Sequence, residues 1–418
     1  MLVSLAELVI LSLIVDWCFR KLTLPGLVGM LLVGVALGPF VLNWLAPDLL
    51  DVSGDWRLIA LIVILLRAGF ELSRETLNRV GMRVLLLSAV PASLEAAAIT
   101  LLGPTLLGLS YLESAILGTV LGAVSPAVVV PLMIRFMERR MGAQKGIPTM
   151  VLAASSIDDV YVIVIYSVLV GILVGREVNI AWDIASIPIS IIVGIAVGIA
   201  IGWGLLRLFR QFNPRATKRV LVILAISVLM VQVEHVIGDW VPFAALLAVM
   251  AIGFIILERD EHVAHEISAR LGKIWVFAEI LLFTMVGTQV DISVALKAGL
   301  AGTVLIALGL VARSIGTWLC LVGSDLNRGE RWFVVISYIP KATVQAAIGG
   351  GALAAMRTAG MDTGPGEVIL AVAVLSILLT APLGAWAITI TGEWWLQQAP
   401  VSIHDALDAA IESEAMKT

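Results

Sequence analysis

The chain has 418 residues, of which 60% are hydrophobic and only 14% charged, with a mean hydropathy of +1.04. Soluble domains carry about 45–50% apolar and about 25% charged residues, so a water-soluble globule is excluded. A formal charge of −4 argues against a nucleic-acid partner, and Cys18 and Cys320 alone supply neither a disulfide framework nor a zinc cluster.

A bilayer-crossing helix needs about 20 mostly apolar residues, because the hydrocarbon core is about 30 Å thick and a helix rises about 1.5 Å per residue. Runs between charged breaks give thirteen candidate spans, at 2–18, 25–43, 56–73, 83–107, 112–134, 146–174, 183–206, 218–236, 240–257, 272–290, 299–322, 332–355 and 366–391. The expected fold is therefore all-α and membrane-embedded. Glu7 and Asp16 interrupt the first run and no basic region precedes it, so a cleaved leader is not expected. Span 3 reads LIVILLRAGFELS and span 10 reads AEILLFTMVGTQVDIS. Each has a Leu-Leu pair shortly before a glycine, then an acid, and the seven-span separation gives the copies opposite orientations. Spans 5 and 12 are both interrupted near their middles, by GAVSPAVVVP at 122–131 and by IPKATVQAAIGGG at 339–351. Matched interruptions in two inverted halves point to a transporter binding site built from inverted repeats. Beyond about 393 the tail is short and acidic, and Ala406, Leu407, Ala410 and Ile411 recur as in a weak amphipathic helix.

Loop charges give an orientation. Loops after odd-numbered spans carry nineteen basic residues, among them Arg20, Arg74, Arg135, Arg207, Arg259 and Arg328, whereas those after even-numbered spans carry Arg57, Arg176, Lys297 and Arg357. The positive-inside rule then places the amino terminus outside and the carboxyl terminus in the cytoplasm.

A charge at mid-bilayer costs at least about 2.5–3.5 kcal/mol on insertion scales, so intramembrane ions are kept for use or for pairing. Near span centres lie Arg67, Glu95, Asp158, Asp159, Glu279, Arg313 and Lys341. SSIDDV at 155–160 places two adjacent aspartates inside span 6. Successive helix residues point about 100° apart, so the pair cannot chelate as a unit and the two carboxylates must face different surroundings. Lys341, in the broken part of span 12, is the expected cationic partner of this pair. Ser125, Ser155, Ser156 and Thr343 are candidate oxygen ligands, beside carbonyls freed at Pro126 and Pro340. Carboxylate, hydroxyl and carbonyl oxygens suit a hard cation. Glu95 and Arg313 form a second candidate pair, as readily a strut as a transport element. Arg67 and Glu71, four apart, are expected to pair near the end of span 3. The histidines, His235, His262, His265 and His404, are expected in loops or the tail.

SSIDD, GAVSPAVVVP, LLRAGFEL and above all PKATVQAAIG at 340–349 resemble the NHA-type sodium/proton antiporters of the monovalent cation/proton antiporter superfamily. The resemblance runs over nearly the whole chain. It implies a homodimer in a bacterial inner membrane, surrounded by lipid, transporting Na⁺ or Li⁺ against H⁺ without a bound cofactor or enzymatic step. It implies a dimerisation domain from residues 1–79 and 211–292 (spans 1–3 and 8–10), and a core transport domain from 80–174 and 293–392 (spans 4–6 and 11–13). Span 7, within 175–210, would link the halves, 393–418 would form the tail, and the core would move like an elevator. Carried over by residue, Asp159 resembles the principal carboxylate that takes the metal ion or the proton, with Asp158 beside it, held by Lys341. Glu95 and Arg313 resemble the acid–base pair of some relatives. Double aspartate plus Glu–Arg pair mixes electrogenic and electroneutral features, leaving the stoichiometry open. K⁺/H⁺ exchange fits the same oxygen chemistry, and a sodium-coupled organic-anion importer or a channel are the remaining alternatives.

Overall fold

In hydrocarbon each segment must satisfy its own backbone N–H and C=O groups, and a helix does so within itself. The computed structural model describes residues 1–22, 26–72, 74–175, 180–237 and 241–398, and all regular structure among them is helical apart from a single bridge between Met141 and Gln398. The first half holds α1 (Leu2–Lys21), α2 (Gly26–Leu37), α3 (Pro47–Asp51), α4 (Ser53–Glu71), α5 (Arg74–Leu107), α6 (Tyr111–Gly122), α7 (Pro126–Glu138) and α8 (Ile147–Leu173). There follow α9 (Ile180–Phe212), α10 (Ala216–Ile237), α11 (Ala245–Arg259), α12 (Glu261–Gly287) and α13 (Ile292–Cys320). The chain continues through α14 (Arg328–Ser337), α15 (Thr343–Ile348), α16 (Gly351–Thr358) and α17 (Gly364–Trp395). Among the described residues eight helical stretches are long and apolar enough to cross a bilayer.

Each apolar run carries a helix or a set of helix segments, with differences that have local causes. Span 2 stops at Leu37, because Gly38 and Pro39 follow and a residue before proline is pushed out of the helical region. Span 12 is broken twice, at 338–342 and again at Gly349–Gly350, where the sequence predicts a single interruption. His262 and His265 are not in a loop but on the first turns of α12, and His235 lies near the end of α10. The predicted tail helix and His404 lie outside the described residues.

The helices pack in two groups. In one, α5 lies along α13, α6 and α8, α17 backs α13 and α14, and α7 lies on α8. In the other, α4 packs on α11 and α12, α2 packs on α12 and α1, and α10 lies on α12. α9 runs along α11 and also touches α8, and α4 meets α7. Close contacts in the second group depend on glycine. A Cβ at Gly34 would come 2.0 Å from the Thr284 carbonyl oxygen, and one at Gly69 would come 2.1 Å from that of Met250. Lipid tails are as apolar as leucine, so membrane helices associate by such backbone approach and not by hydrophobic exclusion.

The two broken spans start alike. Ser110 and Glu113 form a reciprocal capping box on α6, as Asn327 and Glu330 do on α14. Asp291 caps α13, accepting from the amides of Ser293 at 2.8 Å and Val294 at 3.2 Å and from the Ser293 hydroxyl at 2.6 Å. Burial pushes this carboxyl up, but those hydrogen bonds and the Lys297 charge outweigh it, so it titrates below the ordinary aspartate value. A depressed folded-state value makes the cap a source of stability above the unfolded value, lost as pH falls through the folded one. Asp291→Ala should lower stability by about 1 kcal/mol near neutrality. The gap between the melting temperatures of variant and parent should begin to narrow as pH falls below about 4 and close only below the depressed folded value, where the parent's carboxyl is protonated.

Candidate functional site

Proline dictates where spans 5 and 12 open. Pro126 occupies the first position of α7, where a missing N–H costs nothing, and Ser125 before it is extended with φ −84° and ψ 108°. α6 therefore ends at Gly122 with its last carbonyls unsatisfied in mid-membrane. The second break brings Pro340 alongside: the Ser125 amide donates to the Pro340 carbonyl at 3.0 Å, so the interrupted spans touch backbone to backbone. Ser125 Oγ and Thr343 Oγ1 lie 3.4 Å apart across the same crossing.

The freed carbonyls of α6 are taken by side chains. Lys341 Nζ donates to the Leu121 carbonyl and Arg313 donates to that of Gly122. Gln345 Nε2 donates to Val120 at 3.0 Å and to Ala123 at 2.9 Å. Two cations at the negative end of a half-helix dipole are favourably placed. The same cations hold two acids. Lys341 Nζ is 2.8 Å from Glu95 Oε1, and Arg313 is 2.8 Å from Glu95 Oε2 and 3.4 Å from Asp158 Oδ2. Arg313 Nε also donates to the Tyr338 carbonyl at 2.6 Å, and the Val124 amide donates to Asp158 Oδ2 at 2.7 Å. All four side chains are buried, so Glu95, Asp158, Arg313 and Lys341 form one charge-balanced network.

This arrangement corrects two expectations. Lys341 pairs with Glu95 on α5 and not with an aspartate of α8; Arg313 is the cation nearest Asp158. Glu95–Arg313 is therefore not a separate second pair. The reason is reach: both Lys341 and Arg313 must meet carbonyls of α6, and Glu95 faces those carbonyls from α5.

Asp159 stands apart from this network. It turns about 100° around α8 from Asp158 and lines a cavity of about 690 Å³, with its Oδ1 buried and without a hydrogen-bond partner. Among the described residues it forms no ion pair. Ser156 and Pro126 share the cavity wall with Leu61 and Leu65 of α4, and the remainder comes from the C-terminal half of α8, the N-terminal half of α9, the end of α10 and the segment 242–247 that leads into α11. Antiparallel packing puts those ends on one side of the bundle. The cavity thus lies between the two helix groups and opens toward one face. Ser155 is fully buried, and both it and Ser156 donate their hydroxyls to the Leu152 carbonyl of their own helix.

Other predicted charges fall elsewhere. Arg67 on α4 reaches Glu138 on α7 at 2.6 Å, a bridge between the two groups; the Glu71 side chain lies outside those described. Glu279, half-buried on α12, is within electrostatic reach of Arg135, Asp16, Arg20 and Arg67, away from the crossing. Sequence reasoning misses Gln345 and Thr380, whose Oγ1 accepts from the Lys341 amide at 2.9 Å. Gln345 leaves a trace, a carboxamide in an apolar broken segment; Thr380 leaves none.

Crossed interrupted helices, a buried charge network at the crossing and a cavity ending on a carboxylate define a multi-pass membrane protein with the architecture of the cation/proton antiporters. The description "Sodium/hydrogen exchanger, transmembrane" fits residues 8–394, and the chain belongs to that family. Sodium/hydrogen exchanger 9B2 of Homo sapiens is 32% identical over 406 residues, spanning 94% of this chain and 73% of its own length. The 9B2 protein of Bison bison bison is 35% identical over 392 residues, spanning 90% of this chain and 71% of its own. The sodium proton antiporter MjNhaP1 from Methanocaldococcus jannaschii shares the fold, with a TM-score of 0.73 at 20% identity over 93% of this chain and 96% of that one.

Proposed function

We infer that the protein is a secondary antiporter exchanging cytoplasmic Na⁺ or Li⁺ for external H⁺ at Asp159. The observation that carries this reading is the asymmetry of the aspartate pair. Asp158 is tied by its Oδ2 to Arg313 and the Val124 amide inside a balanced network, whereas Asp159 forms no ion pair among the described residues and lines the cavity; the Oδ1 of each is without a hydrogen-bond partner. A carboxylate there attracts a monovalent cation. Once protonated it loses the charge that holds the metal, so the two ions exclude each other. That competition is sufficient to couple their fluxes.

Access has to alternate, and the two packing groups suggest how. The group of α5–α8 and α13–α17 acts as the moving core, the group of α1–α4 and α10–α12 as the scaffold and dimer interface, and α9 as the link. In the orientation favoured by the loop charges, the cavity opens to the outside of the inner membrane. The Arg67–Glu138 bridge then joins core to scaffold on the cytoplasmic side. An unpaired carboxylate is too costly to carry past the hydrophobic barrier, so the core moves only when Asp159 holds a cation or a proton.

The test is counterflow in proteoliposomes under an imposed pH gradient, with Na⁺, Li⁺ and K⁺ in turn. Saturable, proton-coupled movement of Na⁺ or Li⁺ is expected. A response to K⁺ alone would reassign the substrate, and conductive flux without proton coupling would overturn antiport. Recording whether a membrane potential builds up separates electrogenic from electroneutral exchange.

A further inference from the structure

Gln345 belongs to none of the charge pairs, yet it binds the backbone that those pairs serve. Its Nε2 clamps two carbonyls of the α6 end, Val120 at 3.0 Å and Ala123 at 2.9 Å. The Ala123 carbonyl and the Val124 amide are two edges of one rigid peptide plane. Gln345 holds the carbonyl edge from α15, and Asp158 accepts from the N–H edge at 2.7 Å. One planar group thus links the two broken spans to the aspartate pair. The chain continues through Ser125 to Pro126, which walls the cavity beside Asp159. Reversing the carboxamide would set its oxygen against two carbonyl oxygens, so the hydrogen-bond pattern fixes which end donates. That leaves Oε1 buried without a partner. A residue placed there only to pack would be apolar and would leave no such acceptor unsatisfied.

We propose that Gln345 is a positioning residue for cation binding: by clamping the Val120 and Ala123 carbonyls it orients the Ala123–Val124 peptide, and through it Asp158 and the part of the cavity wall that Pro126 shares with Asp159. The proposal rests on antiport at Asp159. Without the clamp, the break between α6 and α7 can rotate about the residues on either side of that peptide, and the cation meets a wall that is no longer preorganised.

Gln345→Met keeps the volume and removes the donor. In proteoliposomes its apparent KM for Na⁺ and Li⁺ should rise about tenfold with the maximal rate little changed, because the ion site is loosened while the moving parts are intact. Melting temperature, measured with and without Na⁺, should show a folded protein that gains less from the cation than the parent does. A folded variant with parental KM for both ions overturns the proposal. Should Gln345→Met fail to fold, Gln345→Glu carries the test, since its carboxyl can donate to a carbonyl only when protonated. Its activity relative to the parent should recover toward acid pH, and a ratio that does not change with pH overturns the proposal. Asp159→Asn serves as control: if that variant still exchanges ions, the assignment of antiport to Asp159 fails, whereas parental behaviour of the Gln345 variants beside a dead Asp159→Asn sinks only the positioning role.

Discussion

In proteoliposomes carrying Asp159→Asn, pH-driven Na⁺ flux should fall to the level of empty vesicles while the protein keeps its fold. Asparagine preserves size and one oxygen but removes the charge. The attraction between unit charges about 4 Å apart is about 4 kcal/mol at an effective dielectric constant of about 20, equivalent to roughly a thousandfold in affinity. The amide also cannot take up the proton, so both halves of the exchange are lost at once. Because Asp159 lies outside the balanced network, its neutralisation leaves no orphaned partner charge. The melting temperature should be unchanged or raised, and Na⁺ should no longer shift it. Continued pH-driven flux through this variant would remove Asp159 from the mechanism.

Glu95 should behave in the opposite way. Its carboxylate holds Lys341 at 2.8 Å and Arg313 at 2.8 Å, and removing its charge leaves two buried cations with Asp158 as their one acid. Breaking a buried pair costs about 3–5 kcal/mol, because the stranded charge has no water to solvate it. Glu95→Gln should therefore lower the melting temperature far more than Asp159→Asn does. Adding Lys341→Met restores the balance, with Arg313 against Asp158. The double variant should then be less destabilised than the sum of the singles, with a coupling of about 0.5–3 kcal/mol. Strict additivity in unfolding measurements on the four proteins would mean that Glu95 and Lys341 do not act as a pair.

Much of the site is legible in the sequence because its signals are local. A charge inside an apolar run, or a proline between two half-helices, stands out wherever the fold puts it, so Glu95, Asp158, Asp159, Arg313 and Lys341 are all conspicuous. What cannot be read is who meets whom. The partners of Glu95 are 218 and 246 residues away. Charge alone allows Lys341 to pair with any of the three acids. Gln345 is less visible still, since its work is done on backbone carbonyls, and a carbonyl has the same identity at every position. Only the end of α6 makes those at Val120 and Ala123 special.

Hydropathy by itself determined that this chain lives in a bilayer, and with it the helices, because no other segment satisfies its own backbone there. The doubled interruptions determined that two spans open in mid-membrane. The difference between Asp158 and Asp159 was decided by the tertiary structure alone. As covalent neighbours of identical chemistry they are equivalent to composition, charge and helical periodicity, and only the resemblance to the antiporters told them apart in the sequence. One turns toward α5 and α13, where Arg313 waits, and the other turns toward the gap between the helix groups. Rotation about α8 separates the two, but only the packing of the surrounding helices determines which direction is filled with cations and which opens on the cavity.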